Sequence, residues 1–227
     1  MSMSREQVLK ELGIAPAWRL KQQPASVAVG EAADMDRGSR IRQMDWTQLK
    51  EAVANCTACD LHKTRTQGVI GVGDEQAEWL IIGEAPGADE DAQGEPFVGQ
   101  AGKLLDAMLA AIGLKRGENV YIANVLKSRP PGNRNPAPEE VAACMPYLER
   151  QIQLIQPKII IALGRFAVQS LLDTEEAIAR LRGRVHRYQG IPLVVTYHPA
   201  YLLRNLPDKE KAWEDLCLAR ETMAKLK

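Results

Sequence analysis

Several groups of residues in this chain could do chemistry. The stretch GEAPGADEDAQGEPFVGQAG (83–102) sets Glu84, Asp89, Glu90 and Asp91 among glycines and prolines. Those residues fix a tight loop, as needed where backbone must approach a ligand closely. Phe97, one of only two phenylalanines, sits in the same stretch and can offer a stacking face to a base. The plain alternative is an acidic surface loop with Phe97 as a buried anchor. Asn124 closes an apolar run, and its amide, with one acceptor and two donors, can match the edge of a pyrimidine. An isolated Asn at such a place is more often a turn former. His198 follows another apolar run and precedes a proline; a neutral imidazole there can donate to charge developing on a leaving group.

Two further groups concern anions and metals. Lys127, Arg129 and Arg134 share a Pro/Gly loop, and Arg180, Arg182, Arg184 and Arg187 share ARLRGRVHR. Phosphate contact needs only such a local patch, although solvated surface charge is the default for the second cluster. Cys56 and Cys59 form a CxxC, a spacing that suits zinc, an iron–sulfur cluster or a redox pair. Cys144 can supply a third thiolate, while Cys217, between two leucines, reads as a small core residue.

The elements that must hold these residues follow from the apolar pattern. Strand-like runs recur at 79–83, 119–126, 158–163 and 192–197, separated by helical stretches at 101–112, 138–155 and 164–172 and followed by one at 208–226. A further helix over 46–55 leads into the CxxC. Such alternation predicts an α/β fold: a three-layer α/β/α domain with a central four-stranded, mainly parallel sheet. Ligands bind beyond the carboxyl ends of strands in such sheets, where Gly83–Gly87, Asn124, Gly164-Arg165 and His198 all fall.

Length and charge bound the rest. The 227 residues suffice for one domain over 46–227 plus a tail. Residues 1–45 read as a short helix over 4–12, with Trp18 after it, and a flexible linker poor in large apolar residues. That tail is a candidate for binding a protein partner. With 29 basic and 29 acidic residues the net charge is zero, which excludes a nucleic-acid coat over the whole surface. No apolar run reaches membrane-span length, and the N-terminus lacks an apolar signal core. The expectation is a cytoplasmic protein, acting as a monomer.

Taken together, these motifs resemble the family 4 uracil-DNA glycosylases, the iron–sulfur type. The resemblance is carried by CTACDLHKTRT (56–66), GEAPGADEDAQGEPFVGQAGKLLDAML (83–109), NVLKSRPPGNRNPAPEE (124–140), CMPYLERQI (144–152), the segment 157–164 and HPAYLLR (198–204). It implies excision of uracil from DNA. Phe97 would stack on the flipped base, Asn124 would read its edge and His198 would stabilise the departing anion. Glu84, Ala85, Pro86 and Gly87 would frame the pocket. Ala85 stands where other glycosylase families carry an aspartate, which leaves Glu84 or Glu90 to position water, or the field of the DNA anion to suffice. Leu202, Leu203 and Arg204 would enter the duplex, and Arg129 and Arg134 would hold backbone phosphates. The resemblance also implies a structural 4Fe-4S cluster ligated by four cysteines, of which Cys56, Cys59 and Cys144 are present. The fourth position is Ser128, and an alcohol is a poor iron ligand. A cluster with an oxygen or external ligand, another metal, and no cluster all stay open. Rival readings are a glycosylase-fold protein that binds DNA or a partner without cleaving, and a small-nucleotide or redox protein built on the CxxC.

Overall fold

The computed structural model describes residues 36–226, together with Glu11 and Gly13. Apart from those two positions, the segment 1–35, with the expected short helix and Trp18, lies outside the described residues. The elements run in the order α1 (Arg37–Ile41), α2 (Trp46–Ala54), β1 (Val72–Gly73), β2 (Trp79–Gly83), α3 (Ala88–Gln93), α4 (Gln100–Ala111) and β3 (Val120–Asn124). They continue through α5 (Pro138–Ile155), β4 (Ile159–Leu163), α6 (Arg165–Leu172), α7 (Ile178–Leu181), β5 (Val185–Tyr188), β6 (Ile191–Thr196), α8 (Pro199–Leu202) and α9 (Asp208–Ala224).

The four expected strands are β2, β3, β4 and β6, and they pair in parallel in the order β3-β2-β4-β6. Every residue of β2, β3 and β4 is buried, as apolar strands covered by helices on both faces must be. Alternation divides their side chains between two layers. Trp79, Ile81, Ile122 and Ile161 face Leu105 and Leu109 of α4 and Leu216 and Met223 of α9. Leu80, Ile82, Ala123 and Ile160 face Leu148 and Ile152 of α5 and Val168 of α6. The result is the α/β/α sandwich that the sequence predicts.

The sheet, however, has six strands rather than four. β1 adds antiparallel to β3, and β5 adds antiparallel to β6, one on each edge. β1 is two residues long, too short to show a pattern, and β5 is VHRY, whose polar residues read as part of a basic cluster.

A second difference lies at the amino end. Residues 36–45 are folded rather than linker-like and belong to the compact unit Asp36–Lys227. Ile41 of α1 is buried with Leu49, Val53 and Tyr147. Arg37 lies 4.8 Å over the Tyr147 ring, and Asp45 opens α2 with a reciprocal capping box to Gln48. One isoleucine among polar residues was too weak a signal to separate this turn from the linker. Replacing a buried Ile by Ala costs about 2–5 kcal/mol, so Ile41→Ala is expected to lower the urea midpoint measurably, whereas a midpoint like that of the native chain would show that α1 does not hold the domain.

Candidate active site

Strand register builds the site. β2 and β3 end level, with Gly83 beside Asn124, and β4 and β6 end level, with Leu163 beside Thr196. The loops that follow therefore leave the same edge of the sheet and line one cleft of about 890 Å³. The chain moves from β2 to β3 on one side and then crosses to β4 on the other, so the cleft lies at a topological switch point.

The floor of the cleft depends on two glycines. A Cβ on Gly83 would stand 2.4 Å from Asn124 Oδ1 and 2.5 Å from Phe97 Cζ, so the three residues are in direct contact across the space a side chain would take. Gly164 has φ +84°, and a Cβ there would lie 2.8 Å from the His198 Cβ.

Around that floor stand the three residues singled out for base recognition. Phe97 and His198 stack with ring centroids 5.4 Å apart. Phe97 is held at φ 57°, a backbone conformation that non-glycine residues adopt at a cost. Arg116 maintains it, donating to the carbonyls of Pro96 and Phe97 at 2.9 Å each while Asp106 accepts from its Nε. Asn124 is 2% exposed, and its Oδ1 has no hydrogen-bond partner among the described residues. Buried polar atoms are nearly always paired, so an unpaired acceptor at the wall of a cleft marks where a donor on a ligand belongs.

His198 caps α8: its Nδ1 accepts from the Ala200 N–H at 3.1 Å. In the neutral ring the proton therefore sits on Nε2, leaving that nitrogen as the donor. Burial, and then the nearby Arg204, push its pKa down to about 4, so the imidazole is neutral at physiological pH.

The two carboxylates prove to be different. Glu90 is a brace: one oxygen accepts from the Gly87 N–H at 3.0 Å and the other from the Val98 and Gly99 N–H groups. None of the described residues hydrogen-bonds to the Glu84 carboxyl. Burial pushes Glu84 up to about 7, against the opposing pull of Arg165. Ala85, Pro86 and Gly87 line the cleft beside it, as expected.

The residues expected to touch DNA divide. Arg134 and Arg204 line the rim; Arg134 is also paired bidentately with Glu140. Arg129 donates to Asn133 Oδ1 at 2.8 Å beside the same loop. Leu203 is exposed, but Leu202 is not: the turn of α8 packs it into the core at 1% exposure. Leu206, three residues after Leu203, is 60% exposed. Lys127 is no phosphate ligand either, because its side chain is fully buried. In the second basic cluster, Arg182 is bound to Glu214 and Asp215, and Arg187 lies on the edge strand β5. Arg165, Phe166, Tyr197 and Tyr201 also line the cleft; the available signal was that the first three come within three residues of a strand end and Tyr201 lies in the short helix after β6.

Residues 70–217 match the model of the uracil DNA glycosylase superfamily. The chain belongs to that superfamily. It is 54% identical to a type-4 uracil-DNA glycosylase of Archaeoglobus fulgidus over 159 residues, covering 66% of this chain and 79% of the relative. It is 46% identical to a type-4 uracil-DNA glycosylase of Thermotoga maritima, covering 69% and 82%. A type-5 uracil-DNA glycosylase of Thermus thermophilus is 36% identical, covering 57% and 68%.

The glycosylase resemblance implies four cluster ligands; Cys56, Cys59 and Cys144 are present and near enough to interact electrostatically, but the residue at the fourth position does not fit that group. Ser128 is buried, and its Oγ accepts from Arg65 Nη1 at 2.7 Å. Arg65 Nη2 also donates to the carbonyls of Ala54 and Cys56 at 2.7 and 3.0 Å. A guanidinium bonded to the would-be ligand atom opposes a cation at the same place. The buried Cys144 thiol is pushed up to about 11, and its Sγ accepts from the Lys127 N–H. Among the described residues no group of three or more His, Cys, Asp or Glu is arranged to hold a metal. Arg65 thus cross-links the CxxC segment to the loop after β3 by hydrogen bonds. A bond from a charged donor is worth about 1.5–3 kcal/mol. Arg65→Met and Ser128→Ala are each expected to lower the melting temperature by about 3–10 °C, and dialysis against a chelator to leave the native value unchanged; a fall on chelation would show that a metal holds this locus.

Proposed function

We propose that this chain excises uracil from DNA by hydrolysing the N-glycosidic bond of deoxyuridine, leaving an abasic site. The observation that carries the reading is the unpaired Asn124 Oδ1 beside the stacked Phe97 and His198 rings. Uracil presents an N3–H donor between two carbonyl acceptors. Asn124 can accept from N3–H and donate to O4, while Phe97 covers the ring face and the His198 Nε2–H meets O2.

A base inside a duplex cannot reach this cleft, so it must be extruded at a cost of a few kcal/mol. Leu203, exposed and next in the chain to the cleft residue Arg204, would fill the vacated space, and Arg134 and Arg204 would supply positive charge to neighbouring phosphates. The C1′–N1 bond then breaks with its electron pair moving into the uracil ring, and a water oxygen bonds to C1′. Because His198 is neutral, it stabilises the oxygen anion as a hydrogen-bond donor rather than as a cation. Glu84, the carboxyl left free of the loop scaffold, holds the water and accepts its proton. No step of this reading passes through a metal cluster. Among the described residues no helix is long and apolar enough to cross a membrane.

Alkali cleavage of an oligonucleotide carrying one deoxyuridine tests the reading; tight DNA binding without abasic product would favour a binding protein instead. Removing one such donor typically costs 10²–10³ in rate. His198→Ala and Asn124→Ala are each expected to lose about that much while still binding undamaged DNA, and native rates in both would sink the assignment. Glu84 is protonated below its pKa of about 7 and ionised above it, so single-turnover excision should rise through neutral pH and flatten in the alkaline range. Glu84→Gln should remove that rise, and His198, titrating near 4, should contribute no step between pH 6 and 8.

A further inference from the structure

Lys127 lies three residues beyond Asn124, with 1% of its surface exposed. No carboxylate pairs with it among the described residues. Its Nζ donates to three neutral oxygens instead: the Asn124 carbonyl at 2.7 Å, Gln151 Oε1 at 2.5 Å and the Ile70 carbonyl at 3.4 Å. Gln151, itself buried in α5, donates to the Ile70 carbonyl at 2.9 Å and to the Tyr121 hydroxyl at 3.3 Å. The Lys127 carbonyl accepts from the Val69 N–H at 2.8 Å. Burying an amine among neutral groups is expensive, and an apolar side chain of similar volume is often no worse for stability.

The geometry points to a use for that cost. Beyond β3 the chain is tied to its neighbour by the Val125 and Leu126 N–H groups, which donate to the carbonyls of Gly83 and Glu84. The Asn124 carbonyl has its partner in Lys127. The amide oxygen of Asn124 has no hydrogen-bond partner among the described residues, so its aim is set by packing beside Gly83 and by the main chain behind it. We propose that Lys127 is a positioning residue for base recognition, holding the main chain of Asn124 from within the core so that the side-chain amide meets the uracil edge, and that it makes no contact with DNA. The proposal rests on the reading of Asn124 as the residue that recognises uracil.

The test separates base recognition from folding and from DNA binding. Lys127→Met, apolar and of similar length, and Gln151→Leu, which removes one partner of Lys127 without touching Asn124, are compared with the native chain. Melting temperature, affinity for undamaged duplex and competitive inhibition by free uracil are measured for each. Inhibition by uracil is expected to weaken about tenfold or more in Lys127→Met and less in Gln151→Leu, with duplex affinity unchanged. Uracil inhibition equal to native in folded variants overturns the proposal, as does a loss of duplex affinity that accounts for the loss of excision. If Lys127→Met does not fold, Gln151→Leu decides by the same comparison. A native chain that neither excises nor binds uracil would instead overturn the reading of Asn124, so the two failures are distinct.

Discussion

The rest of the site depends on the absence of a side chain at position 83. With only hydrogen there, the end of β2 lets the Phe97 ring and the Asn124 amide approach from opposite sides. The register Gly83–Asn124 places that gap beside the one strand end that carries a side-chain amide. Phe97 in turn stacks on His198, whose position is set by the second close approach, at Gly164. Four strands separated by long stretches of sequence thus contribute one contact each to a single floor. The strained backbone of Phe97 persists because Arg116 and the Glu90 brace over-determine it.

Much of this was legible in the sequence, for a physical reason. Parallel strands must be apolar on both faces, so WLIIG and KIIIAL announce themselves, and in such sheets the chemistry lies where the apolar run stops. That rule nominated Asn124, His198 and the GEAPG loop, and the family resemblance supplied their expected roles. The rule fails where a property depends on what converges in space. Glu84 and Glu90 look alike in sequence, and only the three N–H groups gathered around Glu90 show that it is committed to the loop. Lys127 reads as one of several cations in a Pro/Gly loop, yet the chain turns it inward. Leu202 and Leu203 are adjacent, and one turn of helix sends the first into the core and the second into solvent. Ser128 was legible as a departure from the family, but not the guanidinium that occupies it.

The segment after the CxxC has a larger part in the architecture than its sequence suggests. Arg65 holds Ser128, four residues past Asn124, and the adjacent Thr66 and Gln67 N–H groups donate to the buried Asp91 carboxylate, next to Glu90. One short strap therefore ties the strand end that carries the amide to the helix that braces the Phe97 loop.

The two edge strands have a consequence for behaviour in concentrated solution. An exposed, flat, apolar edge is a template for pairing with another chain. Here one edge is closed by a strand of only two residues, ending in glycine, and the other by VHRY, whose arginine and histidine interrupt any apolar row. Arg187, read in the sequence as one of a basic cluster, thus stands on an edge strand, where a charged side chain disfavours the addition of a further strand.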